Sequence, residues 1–293
     1  MGCRNKKDHR RYSTLNNLRR HLNFALIPRG PILDIGSGGA PLWRSNILLD
    51  RFLADNSQRP GSSLVKDRPL VCGDIHDLPF LDKSMNFVHC AHVLEHVDDP
   101  ELAIRELMRV SLSGYIETPS SLQEVLILNM SFHRWFVWED KGVLIFREKS
   151  KDRDSAIVDA IKMINGSTNA FGGMSGRIED AMFVKHFWRH SIPFKVIRDP
   201  KPIEPFLMKD TVIDHAVNAE GYHPASVKNL IKKFFQLMYK CRINLLEILA
   251  CPQCKGRITQ AKSSLICRKC LVSYPVIDNV PILLISEGKP LAG

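Results

Sequence analysis

The sequence lacks any uninterrupted apolar run that approaches the length of a membrane span, so it offers no candidate transmembrane helix. It also lacks a secretory signal, because no apolar block with a small-residue cleavage site follows the charged first residues. Met1-Gly2-Cys3 is a start that suits acylation, but Lys6 stands where that signal needs serine or threonine. We therefore expect a cytoplasmic protein, with at most peripheral membrane contact.

The composition indicates a globular chain with an uneven charge. The 293 residues are 44% hydrophobic, which leaves room for one α/β domain with a sizeable core and a small further module. The net charge of +10 is concentrated at the ends, since residues 1–30 carry eight Lys/Arg against one acid and residues 240–293 carry eight against three. Such basic ends can contact nucleic acid or anionic lipid headgroups. A solvated arm at residues 1–20 is the competing interpretation.

A glycine-rich turn, Asp34-Ile-Gly-Ser-Gly-Gly39, ends the first apolar run. Gly36 and Gly38, with Ser37 between them, let the backbone turn sharply and approach a ligand closely. A dinucleotide fingerprint needs a third glycine three positions after Gly38, where this chain has Pro41. A carboxylate at Asp34 would repel a pyrophosphate but attract a cation, and S-adenosylmethionine carries an ammonium and a sulfonium. The turn therefore predicts a cationic nucleotide cofactor.

Further segments follow the turn in a recognisable order: Ile47–Asp50, Val71–Ile75, Phe87–Val97 and Tyr115–Pro119. With them, residues 30–120 resemble the class I S-adenosylmethionine-dependent methyltransferases of the type 11-like kind. The resemblance implies an α/β fold, with a Rossmann-like, mostly parallel sheet flanked by helices. It also implies that Asp50 binds the ribose hydroxyls, that Asp74 and Ile75 lie at the adenine, and that His92 begins the helix that closes the site.

Asp34, Asp50 and Asp74 each end an apolar run. Because ligands lie outside the carboxyl ends of parallel strands, we expect the three carboxylates to share one crevice. The competing interpretation is that each aspartate caps the helix after it. Only residues 39–49 separate Gly38 from Asp50, and they include a proline, whereas a parallel crossover takes about a dozen residues or more. The first helix of the fold is therefore expected to be short or missing.

The cysteines predict a metal site. Cys251-Pro-Gln-Cys254 and Cys267-Arg-Lys-Cys270 are two Cys-x-x-Cys knuckles, and each offers two thiolates from a tight turn to a tetrahedral zinc ion. Free or redox-active thiols and an iron site are the alternatives. The remaining cysteines are scattered, which fits a reducing cytosol better than a disulfide framework. Structural zinc is the favoured interpretation.

The run around these knuckles, residues 244–287, resembles the zinc-ribbon activator subunit of tRNA and protein methyltransferases and its short bacterial relatives. The resemblance implies a module that binds a methyltransferase and stabilises it. In this chain the two parts would dock within one molecule, at high effective concentration. A ribbon of about fifty residues has too small a core to be secure without its metal.

These signals divide the chain into a basic arm (1–25), a methyltransferase domain (26–240) and a zinc-ribbon module (241–293). Within the second, residues 121–225 are interpreted as a substrate-side insertion or lid. The patterns in it predict an aromatic hairpin at 132–146 and a glycine-rich loop at 166–176. An amphipathic helix at 226–240 is expected to be a strut between domains rather than a membrane-surface helix.

Methyl transfer from a sulfonium requires mainly that the partners be positioned and water excluded. A base is needed only if the acceptor keeps its proton at neutral pH, as a sugar hydroxyl does. His92, which would share a helix face with His96, is one candidate base. His133 in the aromatic hairpin is the other.

Three functions remain open. The favoured one is a methyltransferase of a small molecule or glycan precursor, because the chain, including residues 133–136, is similar to bacterial methyltransferases associated with cell-surface polysaccharide synthesis. The activator-like module and the basic ends suggest instead a methyltransferase of tRNA, rRNA or a translation protein. However, the Asn-Pro-Pro-Tyr motif of amino-group methylation is absent, and residues 89–92 are His-Cys-Ala-His. The third is a non-catalytic adaptor, against which the intact glycine turn argues.

Overall fold

The computed structural model describes residue 27 and residues 30–55, 63–125, 132–149, 179–198 and 243–291. The predicted basic arm at 1–25, the loop at 166–176 and the amphipathic helix at 226–240 lie outside these ranges. No helix within the described ranges is long and apolar enough to cross a membrane.

The strands of the first part of the chain are β1 (Ile32–Ile35), β2 (Ile47–Asp50), β3 (Leu70–Gly73), β4 (Phe87–Ala91), β5 (Ser113–Pro119), β6 (Trp135–Asp140), β7 (Val143–Glu148), β8 (Phe183–Arg189) and β9 (Phe194–Ile197). Those of the cysteine module are β10 (Thr259–Ala261), β11 (Ser264–Cys267), β12 (Val272–Ile277), β13 (Val280–Leu283) and β14 (Lys289–Pro290). The helices are α1 (Pro100–Val110), α2 (Ser121–Gln123), α3 (Glu179–Met182) and α4 (Leu245–Ile248), with 3-10 turns at Ile75–Asp77 and Ile285–Glu287.

One sheet runs through the molecule in the order β10-β11-β12-β13-β3-β2-β1-β4-β5-β8. Its central strands, from β13 to β5, are parallel, and β8 pairs antiparallel with β5. Every residue of β1, β2 and β3 is buried, as expected of parallel strands that are covered on both faces. The predicted α/β fold with a mostly parallel, Rossmann-like sheet is confirmed.

The cysteine module is joined to this sheet. β13 lies parallel to β3, with Ile282 opposite Cys72 and Leu283 opposite Gly73. The side chains of Val280 and Ile282 are buried in one apolar cluster with residues of β2 and β3. The predicted boundary between residues 240 and 241 therefore does not separate two independent sheets, and the extents of the domains remain a prediction.

A second contact fixes the module beside the β3 edge. Leu81 donates its backbone N–H to Ile248 over 2.9 Å, and Ala250 donates to Pro79 over 2.9 Å. The ammonium of Lys255 lies 3.1 Å from a carboxylate oxygen of Glu106 on α1. The module thus contacts the part of the chain that precedes it through backbone, apolar and charged groups.

The first crossover, residues 36–46, contains no helix, as its length predicts. With no helix in this crossover, the loop is held by the side chain of Asn46. Asn46 accepts the N–H of Ile32 over 2.7 Å and donates its amide to Gly30 over 2.8 Å. This pair of bonds fixes the loop against the start of β1.

The aromatic hairpin predicted at 132–146 is β6 and β7, which pair antiparallel. Lys141 and Gly142 turn it with φ of 48° and 82°, the left-handed geometry of a two-residue hairpin turn. The ring of Trp135 is buried, and its Nε1 donates to the carbonyl of Val97 over 2.7 Å. The hairpin is thereby attached to the segment that follows β4.

Candidate functional site

A cavity of about 350 Å³ opens beyond the carboxyl ends of β1, β2, β3 and β4. This is the position at which ligands bind in open parallel sheets. The lining residues that the sequence predicts are Gly36, Gly38, Asp50, Asp74, Ile75 and His92. The cavity also has the acidic residues Asp55 and Asp98, the basic residues Arg51, His76 and His96, and the side chains of Phe52 and Val93.

The glycine turn forms one wall, and its backbone needs glycine. Gly36 has φ of 65° and Gly38 has φ of 50°, a left-handed geometry that side chains disfavour. A Cβ on Gly36 would overlap Cγ2 of Val93, which packs directly on the turn. The N–H groups of Gly36 and Ser37 both donate to the carbonyl of Leu49, at 2.9 and 3.2 Å. Ser37 itself is buried and does not line the cavity.

Asp50, at the end of β2, is buried and lines the cavity next to this turn. One carboxylate oxygen accepts the N–H of Gly38 over 3.1 Å, and the other accepts the N–H of Phe52 over 2.9 Å. The carboxylate therefore fixes the turn and at the same time lines the ligand space.

Asp74, directly after β3, is held by two cationic groups. His76 donates to one of its oxygens through the backbone at 2.9 Å and has Nδ1 2.7 Å away, while Arg51 lies 2.7 Å from the other. Burial acts to raise the pKa of Asp74, but these bonds and charges outweigh it and lower the pKa below its usual value. The hydrogen bond to Asp74 in turn raises the pKa of His76.

Acidic groups outnumber cations in the cavity. Among the described lining residues, four carboxylates, on Asp50, Asp55, Asp74 and Asp98, face the guanidinium of Arg51 and three imidazoles, of which those of His76 and His92 have raised pKa values. Fields in a recessed cleft are focused by its low-dielectric walls. Once these imidazoles are counted, the lining keeps a small excess of negative charge, which suits a cationic ligand better than a polyphosphate.

Asp34 is not among the residues that line the cavity. Its carboxylate is buried, accepts the N–H of Leu42 over 2.6 Å and lies 2.7 Å from Nδ1 of His89. The expectation that three strand-ending carboxylates share one crevice is therefore wrong for Asp34. The physical reason is the helix-free first crossover, which places the amide of Leu42 where it takes up this carboxylate. A role for Asp34 in holding the cofactor stays a prediction.

The segment after β4 is a turn and not the predicted helix. His92 has φ of 57°, and residues 92–98 contain turns and bends only, so His92 and His96 do not share a helix face. The imidazole of His92 lies 3.6 Å from Glu117 and 3.6 Å from Glu95. These carboxylates raise its pKa to about 9. A protonated His92 is suited to donate a hydrogen bond at neutral pH rather than to accept a proton.

His133, the other candidate base, is buried beside the cavity and does not line it. Its Nδ1 lies 2.6 Å from a carboxylate oxygen of Glu124. Its ring meets that of His96 edge-on, with centroids 4.6 Å apart. The backbone N–H of Arg134 donates to the carbonyl of Glu95 over 2.7 Å and holds this part of the hairpin against the turn.

Several site residues have no motif of their own in the sequence. Asp55 and Asp98 follow β2 and β4 by five and seven positions, in loops whose course depends on tertiary packing. Glu95 and His133 meet only because the hairpin packs on the turn. The one available signal was the density of His and acidic residues between 92 and 99.

The four predicted metal ligands come together. The sulfurs of Cys251, Cys254, Cys267 and Cys270 all lie within 4.8 Å of one another, with the closest inter-knuckle pairs at 3.6 and 4.0 Å. Thiolates about 2.3 Å from a tetrahedral zinc ion are about 3.8 Å apart, so the donor set fits zinc. Hydrogen bonding to Cys254 and burial raise the pKa of Cys270 to about 12. A cation among them would supply the charge that stabilises four thiolates.

Two family models match the chain. Residues 48–115 match a methyltransferase domain, and residues 242–279 match the Trm112p-like protein family. Among curated proteins, a UPF0434 protein of Tolumonas auensis is 49% identical over 49 residues, which are 16% of this chain and 79% of that protein. A UPF0434 protein of Azotobacter vinelandii is also 49% identical over 49 residues, 16% of this chain and 80% of that protein.

Solved structures are similar at low identity. A SAM-dependent methyltransferase of Thermotoga maritima is 18% identical with a TM-score of 0.27, over 36% of this chain and 58% of that one. A chain of the complex that contains the Trm112 methyltransferase activator of Haloferax volcanii is 14% identical with a TM-score of 0.33, over 59% and 88%. The identities of the curated relatives decide the family: through its cysteine module the chain belongs to the UPF0434, or Trm112p-like, family, and a methyltransferase domain precedes that module.

Proposed function

We propose that the protein transfers a methyl group from S-adenosylmethionine to a hydroxyl group of a small molecule or glycan precursor. The observation that carries the proposal is the acidic cavity over the glycine turn, at the carboxyl ends of the parallel strands. A carboxylate-rich pocket attracts an ammonium and a sulfonium and disfavours the phosphates of a dinucleotide. The match of residues 48–115 to a methyltransferase domain supports the same chemistry.

Each wall of the cavity has a role in this proposal. Asp50 would accept the ribose hydroxyls, and Asp74 and Ile75 would lie at the adenine. Gly36 and Gly38 would let the backbone approach the donor, with Ser37 keeping the turn's shape. S-adenosylmethionine supplies an activated methyl group, so the residues of this chain chiefly orient the two partners and exclude water. A protonated His92 would add a hydrogen-bond donor at the mouth.

The acceptor is proposed from the segment after β4. Amino-group methylation of nucleic acids and proteins usually has Asn-Pro-Pro-Tyr there, and this chain has His-Cys-Ala-His at 89–92. The β6–β7 hairpin is attached to this segment by Trp135, and we propose that it lies on the acceptor side of the site. The second candidate, methylation of tRNA, rRNA or a translation protein, is favoured by the Trm112p-like match.

The cysteine module is proposed to hold structural zinc and to stabilise the methyltransferase part. Support comes from the four clustered sulfurs and from β13, which covers the edge of β3. A bare sheet edge exposes unpaired N–H and C=O groups. The cysteine usage and the proposed zinc ion are consistent with a reducing cytoplasm as the place of action.

The decisive experiment is calorimetric titration of S-adenosylmethionine into the wild-type chain and Asp50→Asn. Micromolar affinity is expected for the wild type, weakened at least tenfold in Asp50→Asn, about 1.4 kcal/mol. Asp67→Asn is the matched control, because Asp67 is an exposed acid that pairs with Arg68 outside the cavity. No binding by the wild type would refute the enzyme and favour the adaptor.

The acceptor class is tested by transfer of labelled methyl into an extract of cells that lack this protein. The extract is then divided among ribonuclease, protease and solvent extraction. Label in nuclease- and protease-resistant small molecules or glycans is expected. Label that ribonuclease or protease removes would replace the favoured acceptor with the RNA or protein alternative.

A further inference from the structure

A second group of metal-ligating side chains lies beside the cavity and takes no part in the proposed binding of S-adenosylmethionine. Glu95, His96 and His133 each offer one ligand atom, and these atoms lie within 4.8 Å of one another. Two of the ligands are adjacent in the turn after β4, and the third comes from the start of the β6–β7 hairpin. The group lies more than 110 positions before the cysteine cluster in the sequence and shares no residue with it.

Glu95 has the environment of a ligand without its ion. Its side chain is 2% exposed, and neither carboxylate oxygen has a hydrogen-bond partner among the described residues. The imidazole nitrogens of His92 and His96 approach Oε1 only to 3.6 and 3.8 Å. The protonated imidazole of His92 at 3.6 Å offsets part of the cost of burying this carboxylate, and a metal ion held with His96 and His133 would offset more of it. Nδ1 of His96 is likewise buried without a partner.

His133 is oriented as metal-ligating histidines are. Glu124 lies 2.6 Å from Nδ1, which leaves Nε2 as the ring nitrogen for a ligand. Lys149 in turn pairs with the other oxygen of Glu124. A carboxylate on the second nitrogen of a histidine fixes the tautomer and raises the basicity of the ligating nitrogen. The structure therefore has an outer support as well as the three donors.

The distances require little movement to close around an ion. Oε1 of Glu95 and Nε2 of His96 are 3.8 Å apart. Ligands about 2.0–2.1 Å from a tetrahedral ion lie about 3.3–3.4 Å from each other. A shift of the two ligand atoms by a few tenths of an ångström would therefore bring them to the separation that an ion requires.

We propose that Glu95, His96 and His133 bind a divalent transition-metal ion, zinc or iron(II), at a site separate from the cysteine cluster. Two imidazoles and one carboxylate suit these ions and leave coordination positions open, unlike the closed four-thiolate set. His96 lines the cavity, so the ion would lie next to the ligand space. Where the proposed methyl transfer also holds, such an ion would bind the acceptor oxygen and lower its pKa, and no imidazole base would be needed.

The test is the metal content of the full chain in the absence of S-adenosylmethionine, so failure would leave the proposed function untouched. The protein is first given one equivalent of zinc per chain, which the four thiolates bind in preference, and is then titrated with Co²⁺ by calorimetry and visible absorption. One further Co²⁺ per chain is expected, with nitrogen and oxygen d–d bands and no thiolate charge-transfer band. No uptake beyond the cysteine site up to about 1 mM Co²⁺ would overturn the proposal.

Two substitutions assign the site. Glu95→Gln keeps the shape of the buried side chain but removes its charge, and His133→Gln removes one imidazole. Each is expected to weaken the added Co²⁺ at least tenfold, whereas His190→Asn, at an exposed histidine outside the group, leaves it unchanged. Equal affinity in wild type, Glu95→Gln and His133→Gln would refute the assignment, even if the chain binds cobalt elsewhere.

Discussion

The methyltransferase part and the cysteine module are stabilised by different means. The former buries complete strands and the apolar face of α1, including Ala103, Ile104 and Leu107, which are 0% exposed. In the module, the fully buried groups include the sulfur-bearing Cys251 and Cys267 and the ring of Tyr274 beside the sulfurs. The module also places β13 against β3. A large domain can be stabilised by its hydrophobic core alone, whereas a module of about fifty residues needs a bound metal and packing against an adjacent domain.

The largest expected effect tests whether the fold of the cysteine module depends on bound zinc. The double substitution Cys251→Ser and Cys254→Ser should abolish zinc binding and unfold the module, because structural zinc contributes about 10–16 kcal/mol of apparent binding free energy in zinc-finger peptides. Metal analysis and limited proteolysis measure the result. Cys90→Ala, at a cysteine of β4 outside the cluster, should keep its zinc. A double variant as protease-resistant as the wild type would show that the module does not need its metal.

The second largest effect tests how much the packing of β13 against β3 contributes to stability. Ile282→Ala deletes a buried side chain from the interface of β13 with β3 and should lower the free energy of unfolding by about 2–5 kcal/mol. Urea denaturation monitored by tryptophan fluorescence reports on it, because the tryptophans lie in the other part of the chain. Ile277→Ala, at a side chain that is 55% exposed, should cost less than about 0.5 kcal/mol. Equal costs would mean that the module does not stabilise its neighbour.

A smaller effect concerns the glycine turn. Gly36→Ala places a Cβ into Val93 at a left-handed φ, and should weaken S-adenosylmethionine at least tenfold, about 1.4 kcal/mol, with little change in the module. Val93→Ala in the same chain relieves the overlap but not the backbone strain, so it should restore part of the affinity. Unchanged binding by the single variant would place the donor away from this wall.

The smallest effect is a pH dependence. His76 should titrate above its ordinary pKa of 6.5 in a histidine NMR titration, since Asp74 raises its pKa, and Asp74→Asn should lower the midpoint. The charged pair stabilises the fold fully between about pH 3.8 and 6.5. That stability is lost as pH rises through the raised pKa of His76, and as it falls through the lowered pKa of Asp74. A midpoint that Asp74→Asn leaves in place would contradict the pairing.

The parts that local sequence determines were predictable. Short apolar runs, the glycine turn and the Cys-x-x-Cys spacing each depend on neighbouring residues, and they correspond to β1–β5, the cavity wall and the sulfur cluster. The missing helix followed from the length of the first crossover. In each case the chain near the motif has few other ways to satisfy its backbone and side chains.

Features set by distant contacts were not predictable. The left-handed φ of His92 depends on the carbonyl of Glu117 that accepts its N–H over 2.8 Å, and that carbonyl belongs to another strand. The position of the Asp34 carboxylate depends on where Leu42 lies. The contact of β13 with β3 joins segments that no short pattern relates. Such features require the tertiary structure.

The pairing of β13 with β3 also constrains synthesis. Cys72 and its neighbour Ile282 are 210 positions apart. A ribosome that adds about 5–20 residues per second therefore produces Ile282 about 10–40 s after Cys72. During that interval the nascent chain presents a parallel edge that other chains can join. Chaperone dependence and inclusion-body formation during rapid expression are therefore expected to follow from the order of the two segments along the gene.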